Sequence, residues 1–136
     1  MICTVLGSCV AVCLWDCRKR FGGANHYIYG WAGNNSRTAR YGDASIQCLI
    51  ELMIKAGSAR KNLKAHIVGG GQNPDFSSAV GVENVTAAEK ILRRYDIEVV
   101  TRDTGGNTGR KLIFDNECGE VVVYKGMSVR RDDWYR

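Results

Sequence analysis

The chain has 136 residues, 45% of them hydrophobic and 24% charged, with a single proline. That balance fits one globular domain with one core over residues 1–136. It excludes a disordered or Pro-rich linker protein, and no run approaches the ~20 apolar residues of a membrane-spanning helix.

The net charge is +5. The basic clusters Arg18-Lys19-Arg20, Arg60-Lys61, Arg93-Arg94 and Arg130-Arg131 are not interleaved with aromatics, so no nucleic-acid-binding pattern is present. They read as a solvated face with a mild basic bias, or as attraction towards an acidic macromolecular partner. Met1-Ile-Cys-Thr4 runs into Gly7-Ser8 without a basic n-region or apolar h-region. The expected compartment is therefore the cytoplasm, with no membrane insertion. Six cysteines in a core-rich chain of that compartment read as free thiols. Cys9, Cys13 and Cys17 recur every fourth residue, but the close pair plus distant pair of a zinc site is missing, and no metal or cofactor is expected.

In chain order, Val10 to Trp15 reads as a buried strand and Asp16 to Gly23 as a charged turn. Ala24 to Tyr29 reads as the returning strand of a hairpin, bringing His26 beside the Cys9 strand. Trp31 to Tyr41 reads as a surface loop. Asp43 to Ala56 has helical apolar spacing, with Asp43 as N-cap and Gly57 as the stop. Leu63 to Val68 is a strand ending in Gly69-Gly70-Gly71. Asn84 to Tyr95 is a second helix, capped by Asn84 or by Thr86, the latter in a capping box with Glu89. Ile97 to Arg102 is a strand leading to Gly105-Gly106. Lys111–Phe114 and Glu120–Tyr124 form a hairpin around Asn116-Glu-Cys-Gly119, and residues 130–136 read as an exposed tail. The fold class is α/β (α+β): a mixed β-strand sandwich with two amphipathic helices.

Gly7-Ser8-Cys9 could present a thiol nucleophile on a tight turn, with the backbone N–H groups of Gly7, Ser8 and Cys9 aimed at one spot as an oxyanion site. Equally, Cys9 could be a buried cysteine opening a core strand. His26 reads either as the general base for Cys9 or as a structural histidine. Thr4 is the nearest hydroxyl to hold its tautomer, since Asn25 points to the opposite strand face. His66 alternates with apolar neighbours and reads as a packed or solvent-side strand residue. Gly69-Gly70-Gly71 and Gly105-Gly106 match no phosphate loop and read as glycines that let loops approach the Cys9–His26 cleft.

Several blocks together resemble the chemoreceptor glutamine deamidase family, CheD. They are Thr4-Val-Leu-Gly-Ser-Cys-Val-Ala-Val-Cys-Leu-Trp-Asp16, Gly22-Gly-Ala-Asn-His26, Arg40-Tyr-Gly-Asp43, Ala65-His-Ile-Val-Gly-Gly70, Val80-Gly81 with Asn84, and Asp103-Thr-Gly-Gly-Asn-Thr-Gly-Arg110-Lys. The resemblance implies an α/β sandwich related to deamidating bacterial toxins. It implies a cysteine hydrolase, a protein-glutamine glutaminase, that converts glutamines on the cytoplasmic helices of methyl-accepting chemoreceptors to glutamate and also hydrolyses glutamyl methyl esters. It carries a Cys–His–Thr triad onto Cys9, His26 and Thr4, and names a CheC-type phosphatase as partner. The alternatives are a non-catalytic regulator binding that phosphatase, or a hydrolase of small amides. Family members usually carry further strands before the threonine, so a truncated N-terminal edge is expected. Tyr29-Gly30 stands where the family usually has Leu-Pro, which implies a differently shaped loop.

Overall fold

A computed structural model describes residues 1–31, 41–75, 78–127 and 134. Along them run β1 (Ile2–Leu6), β2 (Val10–Asp16), β3 (Phe21–Ala24), α1 (Gly42–Lys55), β4 (Leu63–Gly69), α2 (Val80–Arg94), β5 (Glu98–Thr104), β6 (Gly109–Phe114) and β7 (Val121–Met127). A central sheet has the order β3-β2-β4-β5, and an outer sheet the order β1-β6-β7. Only β4 and β5 pair in parallel, and the connection between them is α2, the long crossover that a parallel pair requires.

The alternation of β2 builds three layers. Val10, Val12 and Leu14 face the helices, packing with Ile46, Ile50, Ile91 and Leu92. Ala11 and Cys13 face the outer sheet, packing with Leu6, Leu112 and Phe114. A strand covered on both sides is apolar throughout, which is why Val10 to Trp15 shows no alternation. The edge strand β5, by contrast, alternates exposed and half-buried residues. The result is an α+β domain with the expected sandwich and two helices. No described helix is long and apolar enough to cross a membrane.

β1 was not expected as a strand, the later strands β5 to β7 shift at their ends, and the remaining differences at element boundaries have local reasons. The charged turn closes sooner: Asp16 Oδ1 accepts from the N–H groups of Arg18 and Lys19, and Arg20 takes a positive φ of 60°. Pairing therefore restarts at Phe21 rather than Ala24. The first helix is capped at Tyr41, and Asp43 lies in its first turn instead of capping it; Gly57, with φ of 110°, does end it. The second helix begins at Val80, whose N–H donates to Ser78 Oγ. Neither Asn84 nor Thr86 caps it; Asn84 is an interior, buried residue. Glu89 pairs with Arg102 at 2.6 Å rather than closing a capping box. Most of the expected loop at 31–41, and the expected tail apart from a half-buried Trp134, lie outside the described residues.

Candidate active site

The β2–β3 register continues past the end of β3. Cys13 pairs with Ala24, Asn25 N–H donates to the Val12 carbonyl, and Val10 and Tyr27 exchange both backbone hydrogen bonds at 3.2 and 2.9 Å. In this register His26 stands opposite Ala11, and Cys9 opposite Ile28. Cys9 and His26 are thus diagonal neighbours on one face, at the ~7–8 Å spacing that an imidazole side chain can reach across. Ala11 carries only a methyl, which leaves room for the ring. Asn25 does not turn to the opposite face as expected: its Oδ1 accepts from Val12 N–H at 2.8 Å, within the ladder.

That face looks towards the outer sheet, and there β1 brings Thr4. Thr4 Oγ1 and His26 Nδ1 lie 2.8 Å apart. A cavity of about 250 Å³ opens beside them, lined also by Ala11, Ala24 and Leu112. Thr4 is held in place by the β1–β6 ladder, opposite Leu112. The structure therefore brings Thr4 and His26 into contact, with Cys9, which is 3% exposed, on the same face but not among the residues that line the cavity.

The Gly7–Cys9 loop is gripped through its carbonyls. The Gly7 oxygen accepts from Gly71 N–H at 3.0 Å and the Cys9 oxygen from Gly70 N–H at 2.8 Å. The Ser8 oxygen accepts from Asn84 Nδ2 at 2.8 Å. Three successive carbonyls held from one side fix the turn's conformation. The glycines at 69 and 70 are required: both have positive φ, and a Cβ on Gly69 would overlap the Cys9 carbonyl oxygen. Gly105 N–H donates to the Gly69 oxygen and Gln72 N–H to the Gly106 oxygen, so the first glycine cluster meets the Cys9 loop and the second braces the Gly69–Gln72 loop from behind. The N-terminus of α2 closes on the same loop at Gly81, where a Cβ would lie 2.5 Å from the Gly70 and Gly71 oxygens.

Sequence reasoning missed two supporting residues. Asn84 was read as a cap, whereas its side chain is completely buried and also donates to the Ile28 carbonyl at 2.8 Å. The available signal was a polar residue on the same helical stripe as Ala87, Ala88 and Ile91. Arg110, 3% exposed, donates to Asp103 Oδ1 at 2.9 Å and to the Gly105 carbonyl at 2.8 Å, stitching down the loop that reaches Gly69.

Electrostatics separate the thiols and rings by role. Burial pushes the Cys13 thiol up to about 12, so it stays protonated and inert at neutral pH. Burial also pushes the Tyr27 phenol well up; it stays protonated and donates to the Asn84 carbonyl at 2.5 Å. His66 is packed, as one of its two readings had it. Burial lowers its pKa against the opposing effect of the Gly119 carbonyl, which lies 2.7 Å from Nε2. No cluster of three or more metal-ligating side chains occurs among the described residues.

Comparison with known proteins places the chain in a family. Residues 29–125 match the family model described as CheD chemotactic sensory transduction. The chain is 40% identical over 129 residues to a protein of Trichlorobacter lovleyi named probable chemoreceptor glutamine deamidase CheD, covering 92% of this chain and 80% of the relative. A protein of the same name from Sulfurimonas denitrificans is 37% identical over 128 residues, covering 90% and 82%. Another from Clostridium novyi is 35% identical over 139 residues, covering 96% and 86%. The family match spans most of the described fold, from the bridge at Tyr29 to β7, and the relatives extend it over nearly the whole chain: this protein belongs to the CheD family.

Proposed function

We propose that the protein is a chemoreceptor glutamine deamidase acting in bacterial chemotaxis, with Cys9 as nucleophile, His26 as general base and acid, and Thr4 as the group that orients the imidazole. The observation that carries this reading is the 2.8 Å contact between Thr4 Oγ1 and His26 Nδ1. With Nδ1–H donated to the hydroxyl, Nε2 is the nitrogen that exchanges a proton with the Cys9 thiol.

The cycle then uses only protein groups and water. The Cys9 thiolate adds to the carboxamide carbon of a glutamine side chain, forming a C–S bond and an oxyanion. Backbone N–H groups of the Gly7–Cys9 loop stabilise that charge. The C–N bond breaks as the His26 imidazolium gives its proton to the leaving nitrogen, and ammonia departs. Water, deprotonated by His26, attacks the thioester carbonyl and yields glutamate and the free thiol.

Converting glutamine to glutamate adds negative charge to a helix surface, and like charges at helical spacing shift helix stability by a few tenths of a kcal/mol per pair. The basic excess of the chain favours docking on acidic helices. The test is peptide mass analysis of a chemoreceptor cytoplasmic fragment incubated with the protein or with Cys9→Ala. Gain of about 1 Da at discrete glutamines, with the unaltered protein only, is the expected result, since replacing an amide by an acid leaves little else to change in mass. No conversion by a folded protein overturns it in favour of a non-catalytic regulator.

A further inference from the structure

We propose that Asn84 is a positioning residue that sets the spacing of Cys9 and His26, an inference that rests on the reading of those two as nucleophile and base. Ser8 immediately precedes Cys9, and Tyr27-Ile28 immediately follow His26. Asn84 bonds to both segments at once: Nδ2 donates to the Ser8 and Ile28 carbonyls, each at 2.8 Å, and its main-chain carbonyl accepts from the Tyr27 hydroxyl.

The need for such a link follows from where the ladder stops. Among the described residues, the last backbone hydrogen bonds between the two segments are those of Val10 with Tyr27. On the far side of that bridge the chains are joined through α2 instead of to each other. The amide NH2 is suited to the task because it is planar and carries two donors at a fixed angle, so it holds two acceptors at one separation. A hydroxyl offers one donor and an ionised carboxylate none. The Asn84 oxygen Oδ1 has no hydrogen-bond partner, so the two donor bonds, not the acceptor, hold the side chain in its rotamer. Asn84 also lies a single helical turn from Gly81, where α2 meets the Gly70–Gly71 carbonyls. One rigid helix therefore references both the thiol loop and the histidine segment.

The experiment compares the unaltered protein with Asn84→Leu, which keeps the bulk and removes both donors, and with Asn84→Ser, which keeps one. Leu92→Ala, a buried change two helical turns along α2 that removes none of the Asn84 hydrogen bonds, serves as the stability control. Two quantities are read: kcat and KM for deamidation of the receptor fragment, and the pH dependence of Cys9 alkylation by iodoacetamide, mapped by peptide mass. Asn84→Leu is expected to lower kcat on the order of 10²-fold, the scale of an ångström-sized misplacement, with KM little changed. It also moves the Cys9 alkylation midpoint towards the ordinary thiol value of about 8.5. Asn84→Ser recovers part of both, and it carries the test alone if Asn84→Leu does not fold. A folded Asn84 variant with unchanged kcat and alkylation profile overturns the proposal. So does an equal change in both readouts in Leu92→Ala. If Cys9 of the unaltered protein alkylates like an ordinary thiol, the catalytic reading itself fails, and this inference with it.

Discussion

Thr4 and His26 belong to different layers, yet Oγ1 of one lies 2.8 Å from Nδ1 of the other. Thr4 rides on the edge strand of the outer sheet, and His26 follows the edge strand of the central sheet. A bond this exposed adds little to the fold, about 1 kcal/mol at most. Its value lies in fixing which imidazole nitrogen is available. Thr4→Val, which keeps the shape and removes the hydroxyl, is expected to lower kcat by roughly 10- to 100-fold with little change in thermal midpoint. Thr4→Ser retains most of the activity. Steady-state deamidation kinetics on both variants check the pair.

The six cysteines divide by environment. Cys3, Cys17 and Cys48 are exposed, and Cys13 is buried with its thiol pushed up to about 12. Brief iodoacetamide treatment of the folded protein near pH 7 is expected to leave Cys13 unmodified, while Cys9 reacts ahead of the exposed thiols if His26 activates it. Peptide mass mapping over a time course reads this directly. Cys13→Ser, which places an unpartnered hydroxyl between the sheets, is expected to cost about 1–3 kcal/mol of stability in urea unfolding.

Two glycines with positive φ are expected to respond differently to alanine. Gly106 (φ 71°) has open space around its missing Cβ, so Gly106→Ala meets only left-handed strain, about 1 kcal/mol, or about 4 °C in a chain of this size. Gly69 (φ 115°) adds a collision with the Cys9 carbonyl oxygen to that strain. Gly69→Ala is therefore expected to lower the melting temperature further and to lower kcat as well, because the loop that carries Cys9, the proposed nucleophile, must move. Scanning calorimetry and kinetics on the two variants separate the effects.

Asp103 carries the clearest acid signature. Burial alone would raise its carboxyl, but hydrogen bonds from Arg110 and Lys125 outweigh it and hold the pKa below the ordinary value. The unfolded chain therefore binds this proton first as the pH drops. The pair's contribution is complete above about pH 4–5 and is lost as the pH falls through the folded value. Arg110→Met is expected to cost about 2 kcal/mol at pH 7. It should also flatten the decline in stability over the acid range, as read by urea unfolding across pH 3 to 7.

The sandwich, the two helices and the strands after β1 were legible because each follows from a local pattern: an apolar run for the doubly covered β2, helical spacing for α1, and turn residues around Gly119. β1 (Ile2–Leu6) was not read as a strand, because its pairing partner β6 lies about a hundred residues further on. Thr4 was read beside His26 because a hydroxyl can hold an imidazole tautomer, and the two are in contact. Boundaries were misread where a side chain had a distant use. Asn84 has the chemistry of a cap, and nothing near it in sequence reveals that Ser8 and Ile28 claim its amide. Glu89 has the spacing of a capping box, yet Arg102, on the next strand, takes it. Asp16 closes the β2–β3 turn early through backbone contacts that composition alone does not disclose. In each case the deciding partner lies far along the chain or in the main chain.

The ladder partner of β1 has a consequence for the order of events during synthesis. β1 precedes every other described strand, and β6, to which it pairs, follows all but one. While the chain is being made, Cys9 and His26 can come together through the β2–β3 hairpin, a contact local in sequence that closes quickly. Thr4 must wait for residues 109–114 before it has a strand to lie against. A nascent or partly unravelled chain thus carries a thiol and an imidazole whose ring is not yet oriented. On the proposed mechanism, full reactivity arrives only when the outer sheet closes, so the strand that orients the imidazole is made before the hairpin and put to use after it.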